Sequence, residues 1–254
     1  MTHLVQYAVD RAIATVTLDS PDNRNALSAQ LVSELTAHLL AAAADGSVRA
    51  VVLTHTGSTF CAGADLKEAA AEGGPERGTQ RMLALLRVIV ELPKPVIARI
   101  DGNVRAGGLG IVGACDIALA GPTSSFAFTE VRLGLAPAII SLTTLGRMTE
   151  RAAARYCLTG ERFDAAAAAA AGLITAAVND LDTEIEALTD QLLACSPQGL
   201  AETKPLTNRA VLAEFDERAE QMQAVSARLF GSDEAREGMT AFLQRRAPSW
   251  AQPG

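Results

Sequence analysis

Two short segments of this chain combine small residues in a way that suits the handling of a carbonyl oxygen. The first is Phe60-Cys61-Ala62-Gly63-Ala64-Asp65-Leu66 and the second Arg105-Ala106-Gly107-Gly108-Leu109-Gly110. Each follows a strand-like run and opens a helical pattern. Small residues at a helix start let a ligand approach the backbone, and the first N–H groups there have no partner within the helix. Two such ends facing one another place two donors on one oxygen, an oxyanion hole, where losing one donor costs roughly a hundred- to a thousandfold in rate. Taken singly, either loop also reads as a tight turn for helix–strand packing. Further on, Phe128-Thr129-Glu130-Val131-Arg132-Leu133-Gly134 places Glu130 between Phe126 and Phe128 on one side and Arg132 on the other, where by itself it reads as a solvated surface charge.

A second chemistry competes for the same glycines. Gly108-Leu109-Gly110-Ile111-Val112-Gly113 matches GxGxxG, with Glu130 about twenty residues on, as in a nicotinamide-dinucleotide fold. That fingerprint's first glycine follows its strand almost at once, whereas residues 101–107 separate Ile100 from Gly108, and the chain opens with a hairpin in place of strand–turn–helix. An NAD-dependent oxidoreductase is therefore a minor alternative.

The elements that must hold these loops are legible in part. Residues 5–9 and 13–18 alternate as a hairpin turning at Asp10-Arg11; Ser28 caps a helix to about residue 44, with Leu31, Leu35 and Leu39 on one stripe. Residues 50–54 read as a buried strand, 57–60 as a loop, and Asp65 begins a short helix. Residues 73–78 are a flexible break by composition. A helix through Met82, Leu85, Leu86 and Ile89 ends before Pro93. Strands are expected at 96–100, 116–120, 125–128 and 174–178, and helices at 107–114, 138–145, 150–158 and 164–171. The remainder, 181–243, reads as three or four helices, starting among others at Ser196-Pro197 and Ser232-Asp233. This is α/β architecture with a helical tail. The core is assigned to residues 1–195 and a C-terminal helical region that packs on a neighbouring subunit to 196–254, within one structural domain.

Composition excludes several other functions. The 254 residues, 49% apolar and 20% charged, support a large core, and 4% aromatics make it one of Ala, Leu, Val and Ile. With 22 basic against 29 acidic residues, net −7, and no basic run, nucleic acid is not an expected partner. No apolar stretch approaches the roughly 18 residues of a membrane span, and no secretory signal is apparent at the N-terminus. Cys61, Cys115, Cys157 and Cys195 lack CxxC spacing and read as buried free thiols of a cytoplasmic protein; His3, His38 and His55 form no metal-binding pair, so no metal is expected.

Several ordered motifs together carry a family resemblance over nearly the whole chain. They are Asn25-Ala26-Leu27, the segment 60–66, residues 106–117 ending in Cys115-Asp116-Ile117, and residues 129–134. Leu158-Thr159-Gly160-Glu161-Arg162-Phe163-Asp164 and Ala171-Gly172-Leu173-Ile174 complete the set. In these the sequence resembles the enoyl-CoA hydratase/isomerase (crotonase) superfamily. The resemblance implies a crotonase-like spiral of repeated strand-strand-helix units, a C-terminal helical region used in homotrimer or homohexamer assembly, and an acyl-CoA thioester substrate of the kind met in fatty acid metabolism. No separate cofactor is implied, coenzyme A being part of the substrate. By match to family positions, the N–H groups of Ala64 and Gly107 would hold the thioester oxygen and Glu130 would be the catalytic acid; in an apolar pocket, flanked in sequence by Phe126 and Phe128, it is expected to have a raised pKa and to serve as both acid and base. Arg24 and Lys67 are implied for the phosphates, and Ala26, Ala62, Asp65, Leu66, Gly108 and Gly110 for substrate and CoA contacts. Asp65 also suits a helix N-cap. Typical hydratases have a second glutamate where this chain has Gly110. With residues 134–141, Gly-Leu-Ala-Pro-Ala-Ile-Ile-Ser, this departure makes the sequence similar to a methylglutaconyl-CoA hydratase-like branch with a single glutamate. The implied activity is a lyase adding water to a 2-enoyl-CoA thioester. Alternatives are a double-bond isomerase using the same acid and an inactive CoA-binding scaffold.

Overall fold

The protein is described here by a computed structural model covering residues 2–71 and 76–251. The chain opens with β1 (Val5–Asp10) and β2 (Ile13–Leu18), an antiparallel hairpin. Its turn is Arg11-Ala12, one residue later than expected, because a two-residue turn matching the strand twist needs positive φ at both positions; these have φ 46° and 62°. A 3-10 turn at Pro21–Asn23 leads to α1 (Ala29–Ala44), which Ser28 caps by accepting the Leu31 N–H at 3.2 Å. Its Leu31, Leu35 and Leu39 are fully buried, each worth about 2 kcal/mol in transfer terms.

Three strand-strand-helix units follow, and they explain how one chain builds two sheets. β3 (Ala50–His55) and β4 (Thr59–Cys61) precede α2 (Leu66–Ala71) and α3 (Glu76–Glu91). β5 (Val96–Ile100) and β6 (Asn103–Arg105) precede α4 (Gly107–Ala114). β7 (Ile117–Ala120) and β8 (Ser125–Ala127) precede a 3-10 turn, Glu130–Leu133, and α5 (Ala138–Thr144). α6 (Glu150–Thr159), β9 (Phe163–Asp164), α7 (Ala165–Ala171) and β10 (Ala176–Ala177) close the spiral. The first strand of each unit enters a six-stranded sheet, β1-β2-β3-β5-β7-β10, parallel from β2 onward; the second enters a four-stranded sheet, β4-β6-β8-β9. Helices dominate the rest of the chain: α8 (Leu181–Ala194), α9 (Pro197–Thr207), α10 (Arg209–Phe230) and α11 (Asp233–Leu243).

The structure corrects the sequence reading where elements are short. β4 takes in part of the expected loop 57–60, β6 stands where no element was assigned, and β9 claims Asp164 from the expected helix 164–171, since two or three residues carry no readable period. β6 supplies three of the seven residues 101–107, so a strand does end shortly before Gly108 and that ground against the nicotinamide reading falls away. Of the expected break at 73–78, residues 76–78 open α3 and the others lie outside the described residues. The strand expected at 174–178 shortens to β10. Of the four thiols, all free, Cys61 and Cys115 are buried, Cys157 is half-buried and Cys195 is exposed. No helix among the described residues is long and apolar enough to cross a membrane.

The helical tail is bolted to the sheet through a buried ion. Lys204 of α9, 5% exposed, places Nζ 2.7 Å from Asp116 Oδ2 and donates to the Ile89 and Lys94 carbonyls. Asn208 donates to Asp116 Oδ1 at 2.8 Å and accepts from Arg147 at 2.9 Å. α10 then packs on α5 and α3 of the same chain. Removing one partner of such a pair strands a buried charge. Lys204→Ala is expected to lower unfolding free energy by about 3 kcal/mol, read by denaturant titration.

Candidate active site

The two glycine bends meet because β4 and β6 are neighbours in the small sheet, with Thr59 opposite Asn103 and Cys61 opposite Val104. The chain therefore leaves both strand ends side by side. Contact between the bends is too close for a side chain at Gly63: a Cβ there would lie 2.8 Å from Ala106 Cβ and 3.4 Å from Gly107 N. Gly63 also has φ 88°, a conformation open to glycine. Ala106 takes φ 46° and ψ −120°, strained for a residue with a side chain, and this turns the peptide that presents the Gly107 N–H. Ala64 is fixed from the other side by a parallel bridge to Leu27, whose N–H donates to the Gly63 carbonyl at 2.8 Å. Among the described residues no hydrogen bond takes up the N–H of Ala64 or of Gly107. Both residues line a cavity of about 1120 Å³.

Glu130 lines the same cavity, at the start of the 3-10 turn that follows β8. It is 8% exposed, and its Oε2 is buried without a hydrogen-bond partner. Burial pushes its carboxyl up to about 7, because the charged form loses its water with no cation in exchange. The alternative of a solvated charge paired with Arg132 fails: Arg132 Nε donates to the Thr159 carbonyl at 3.3 Å. Phe126 and Phe128, expected beside the acid, instead pack into the core against Phe163, with ring centroids 5.7 and 6.4 Å away. The apolar lining comes from Leu27, Met82, Leu135, Ile139 and Ile140.

Gly108 and Gly110, expected to contact substrate, do not line the cavity. A Cβ on Gly108 would lie 2.8 Å from Cys61 Cβ, so this glycine serves the packing of α4 on β4. A Cβ on Gly110 would lie 2.5 Å from Ile140 Cγ2 and 3.3 Å from Met82 Cε. Ile140 and Met82, which do line the cavity, thus hold the volume a side chain at 110 would need. Gly113 is equally committed, 2.6 Å from the Thr143 carbonyl by the same measure. All three glycines of the GxGxxG match are therefore packed against protein, leaving none to cradle a pyrophosphate.

The remaining expected residues, Arg24, Ala26, Ala62, Asp65, Leu66 and Lys67, all line the cavity. Asn25 holds this flank in place: fully buried, it accepts from the Ser20 N–H at 2.7 Å and donates to the Thr59 carbonyl at 2.7 Å. The Ala62 N–H donates to the Arg24 carbonyl. Arg24 and Lys67 are exposed and, among the described residues, form no ion pair. Asp65 is occupied structurally, accepting from the Lys67 and Glu68 N–H groups and from Asn23 Nδ2. Sequence inspection missed the far wall. Phe230 of α10 with Met239, Phe242 and Leu243 of α11 line this chain's own cavity; the only signal was their spacing on amphipathic helices, which names no target surface.

Known proteins resemble this chain over nearly its whole length. The family model for "Enoyl-CoA hydratase/isomerase" matches residues 8–253. A crystal structure of an enoyl-CoA hydratase from Mycobacterium avium superposes with a TM-score of 0.92 at 58% identity, covering 99% of this chain and 100% of that one. A second, from Mycobacterium smegmatis, gives 0.78 at 33% identity over 98% and 99%. A Rhodobacter capsulatus protein described as "Probable enoyl-CoA hydratase" is 34% identical over 97% of each chain.

A carboxyl raised from 4.5 to about 7 by burial weakens the fold as pH rises through that window, since the unfolded chain releases the proton first. Glu130→Gln is expected to raise unfolding free energy at pH 8 by about 3 kcal/mol, with the gain vanishing near pH 4, as read by thermal melts at the two pH values.

Proposed function

The chain belongs to the enoyl-CoA hydratase/isomerase family, and from that premise we propose that it is a hydro-lyase adding water to a 2-enoyl-CoA thioester. One observation carries this reading: a buried carboxyl with one unpartnered oxygen, pushed up to about 7, shares a cavity with two unpartnered N–H groups from adjoining bends. The thioester oxygen accepts from Ala64 and Gly107, each donor contributing roughly 3–4 kcal/mol once negative charge develops there. Glu130, ionised, takes a proton from water as the hydroxyl bonds to C3. The electron pair moves through C2 to the thioester oxygen, and the same carboxyl returns its proton to C2. Water is thereby divided between C3 and C2, and Glu130 is regenerated. A pKa near the working pH suits a group that must both accept and donate. Net charge −7 does not attract coenzyme A, so its phosphates are assigned to the exposed Arg24 and Lys67, within the roughly 10 Å over which charge acts in salt.

Double-bond isomerisation is the second reading, favoured by the aliphatic Ile140–Met82 wall beside Gly110. No second acid there holds water, and one carboxyl suffices to carry a proton from C2 of a 3-enoyl thioester to C4. Mixing the protein with 2-enoyl-CoA thioesters of varied length and branching separates the two. Hydration removes the ultraviolet absorbance of the conjugated thioester, whereas an isomerase leaves it and instead generates it from 3-enoyl substrates. Glu130→Gln is expected to lower turnover by about a thousandfold or more; unaltered low turnover would identify a scaffold. For the native enzyme, kcat/KM should fall about tenfold per pH unit below about 7, as the general base becomes protonated.

A further inference from the structure

The carboxyl of Glu130 is aimed without a hydrogen bond to Oε2, so its place depends on the backbone that carries it. That backbone is a single 3-10 turn, Glu130–Leu133, closed by the Gly134 and Leu135 N–H groups donating to the Glu130 carbonyl. So short a turn is marginal alone and takes its position from what packs against it. Here that is chiefly α11, and the two elements meet through reciprocal glycines. A Cβ on Gly238 would lie 2.5 Å from the carbonyl carbon and oxygen of Leu133 and 2.7 Å from its Cα. A Cβ on Gly134 would lie 2.6 Å from the carbonyl carbon of Glu234 and 2.8 Å from the Ala235 nitrogen. Gly238 stands inside a helix, where glycine costs about 1 kcal/mol against alanine. Its φ is not in the left-handed region, so the position requires absence of a side chain and not backbone freedom. Ala235 and Ala241 on the same face are buried.

We propose that Gly238 is a positioning residue for the acid: it lets the α11 backbone rest on Leu133 and so seats the turn that directs Glu130 into the cavity. The inference rests on the reading of Glu130 as proton carrier. A methyl group at 238 meets backbone that no side-chain rotation can clear, and α11 must move off the turn. Water then reaches the carboxyl, its desolvation falls, and its pKa drops toward the ordinary glutamate range. The titratable and charged groups around this junction are the Cys157 thiol on α6, Arg132 on the turn itself, and Glu234 and Arg236 on α11, the last paired with Asp233. Asp233, Glu234, Arg236 and Glu237, the last paired with Arg246, keep their identities and travel with α11, while Arg132 and Cys157 stay on their own elements.

The test is Gly238→Ala in the full chain, assayed by enoyl-thioester turnover across pH. Expected are a kcat lower by about tenfold or more, a KM within about twofold of the native value, and an acid limb displaced about one pH unit downward. Gly46→Ala, where a Cβ meets nothing within 4 Å, should leave all three unchanged. If Gly238→Ala does not fold, Ala241→Gly decides: it loosens the same face without a clash and should move the limb in the same direction by less. A folded Gly238→Ala with native kcat and limb overturns the proposal, as does an Ala241→Gly that changes only the melting temperature. Retained turnover in Glu130→Gln would instead overturn the role of the acid itself. Collapse in Glu130→Gln with native behaviour in Gly238→Ala removes the positioning role alone.

Discussion

The approach of Gly63 to Gly107 is the contact on which the site depends. Two N–H groups can serve one oxygen only if two stretches of chain run close enough to share it, and a single methyl at 63 would already strike Ala106. The spiral supplies this closeness by sending the second strand of successive units to adjacent places in the small sheet. What remains is local: Leu27 pins one bend, and the strained Ala106 turns the other. Strain of this kind costs of order 1–3 kcal/mol and persists only where the surroundings over-determine it, here by β6 before it and α4 after it.

Electrostatically the site is divided into a dry region and a wet one. Glu130 sits among aliphatic walls with, among the described residues, no cation paired to it, and Arg24 and Lys67 stand exposed on the flank that Asn25 anchors. A ligand with an uncharged acyl part and a polyanionic handle fits that division. The same dryness that lifts the carboxyl toward neutrality weakens the fold above that pH, so reactivity and stability oppose each other at this residue.

Sequence pattern disclosed the long elements because period needs length. Ser28 with Leu31, Leu35 and Leu39 marks α1, and Gly172 ends α7, each by a local rule that tertiary contacts do not overrule. β4, β6 and β9 escaped because two or three residues form no pattern. In the site, the two small-residue bends were legible from type and context, the family resemblance named Ala64, Gly107 and Glu130, and the structure brings these three to one cavity. Gly108 and Gly110 were misplaced because a glycine facing a ligand and one facing a neighbouring strand or helix look alike in one dimension. Met239 and Phe242 were invisible as cavity residues for a related reason. An amphipathic helix announces that it will cover something, and the covered surface lies about a hundred residues away in the chain.

The interlock of residue 110 with Ile140 bears on how such enzymes diverge. A second carboxylate cannot be added at 110 while the isoleucine stands, and trimming the isoleucine first would hollow the interior beside the acid. In this chain a second carboxylate at 110 thus calls for a paired exchange with Ile140, and either single step is handicapped.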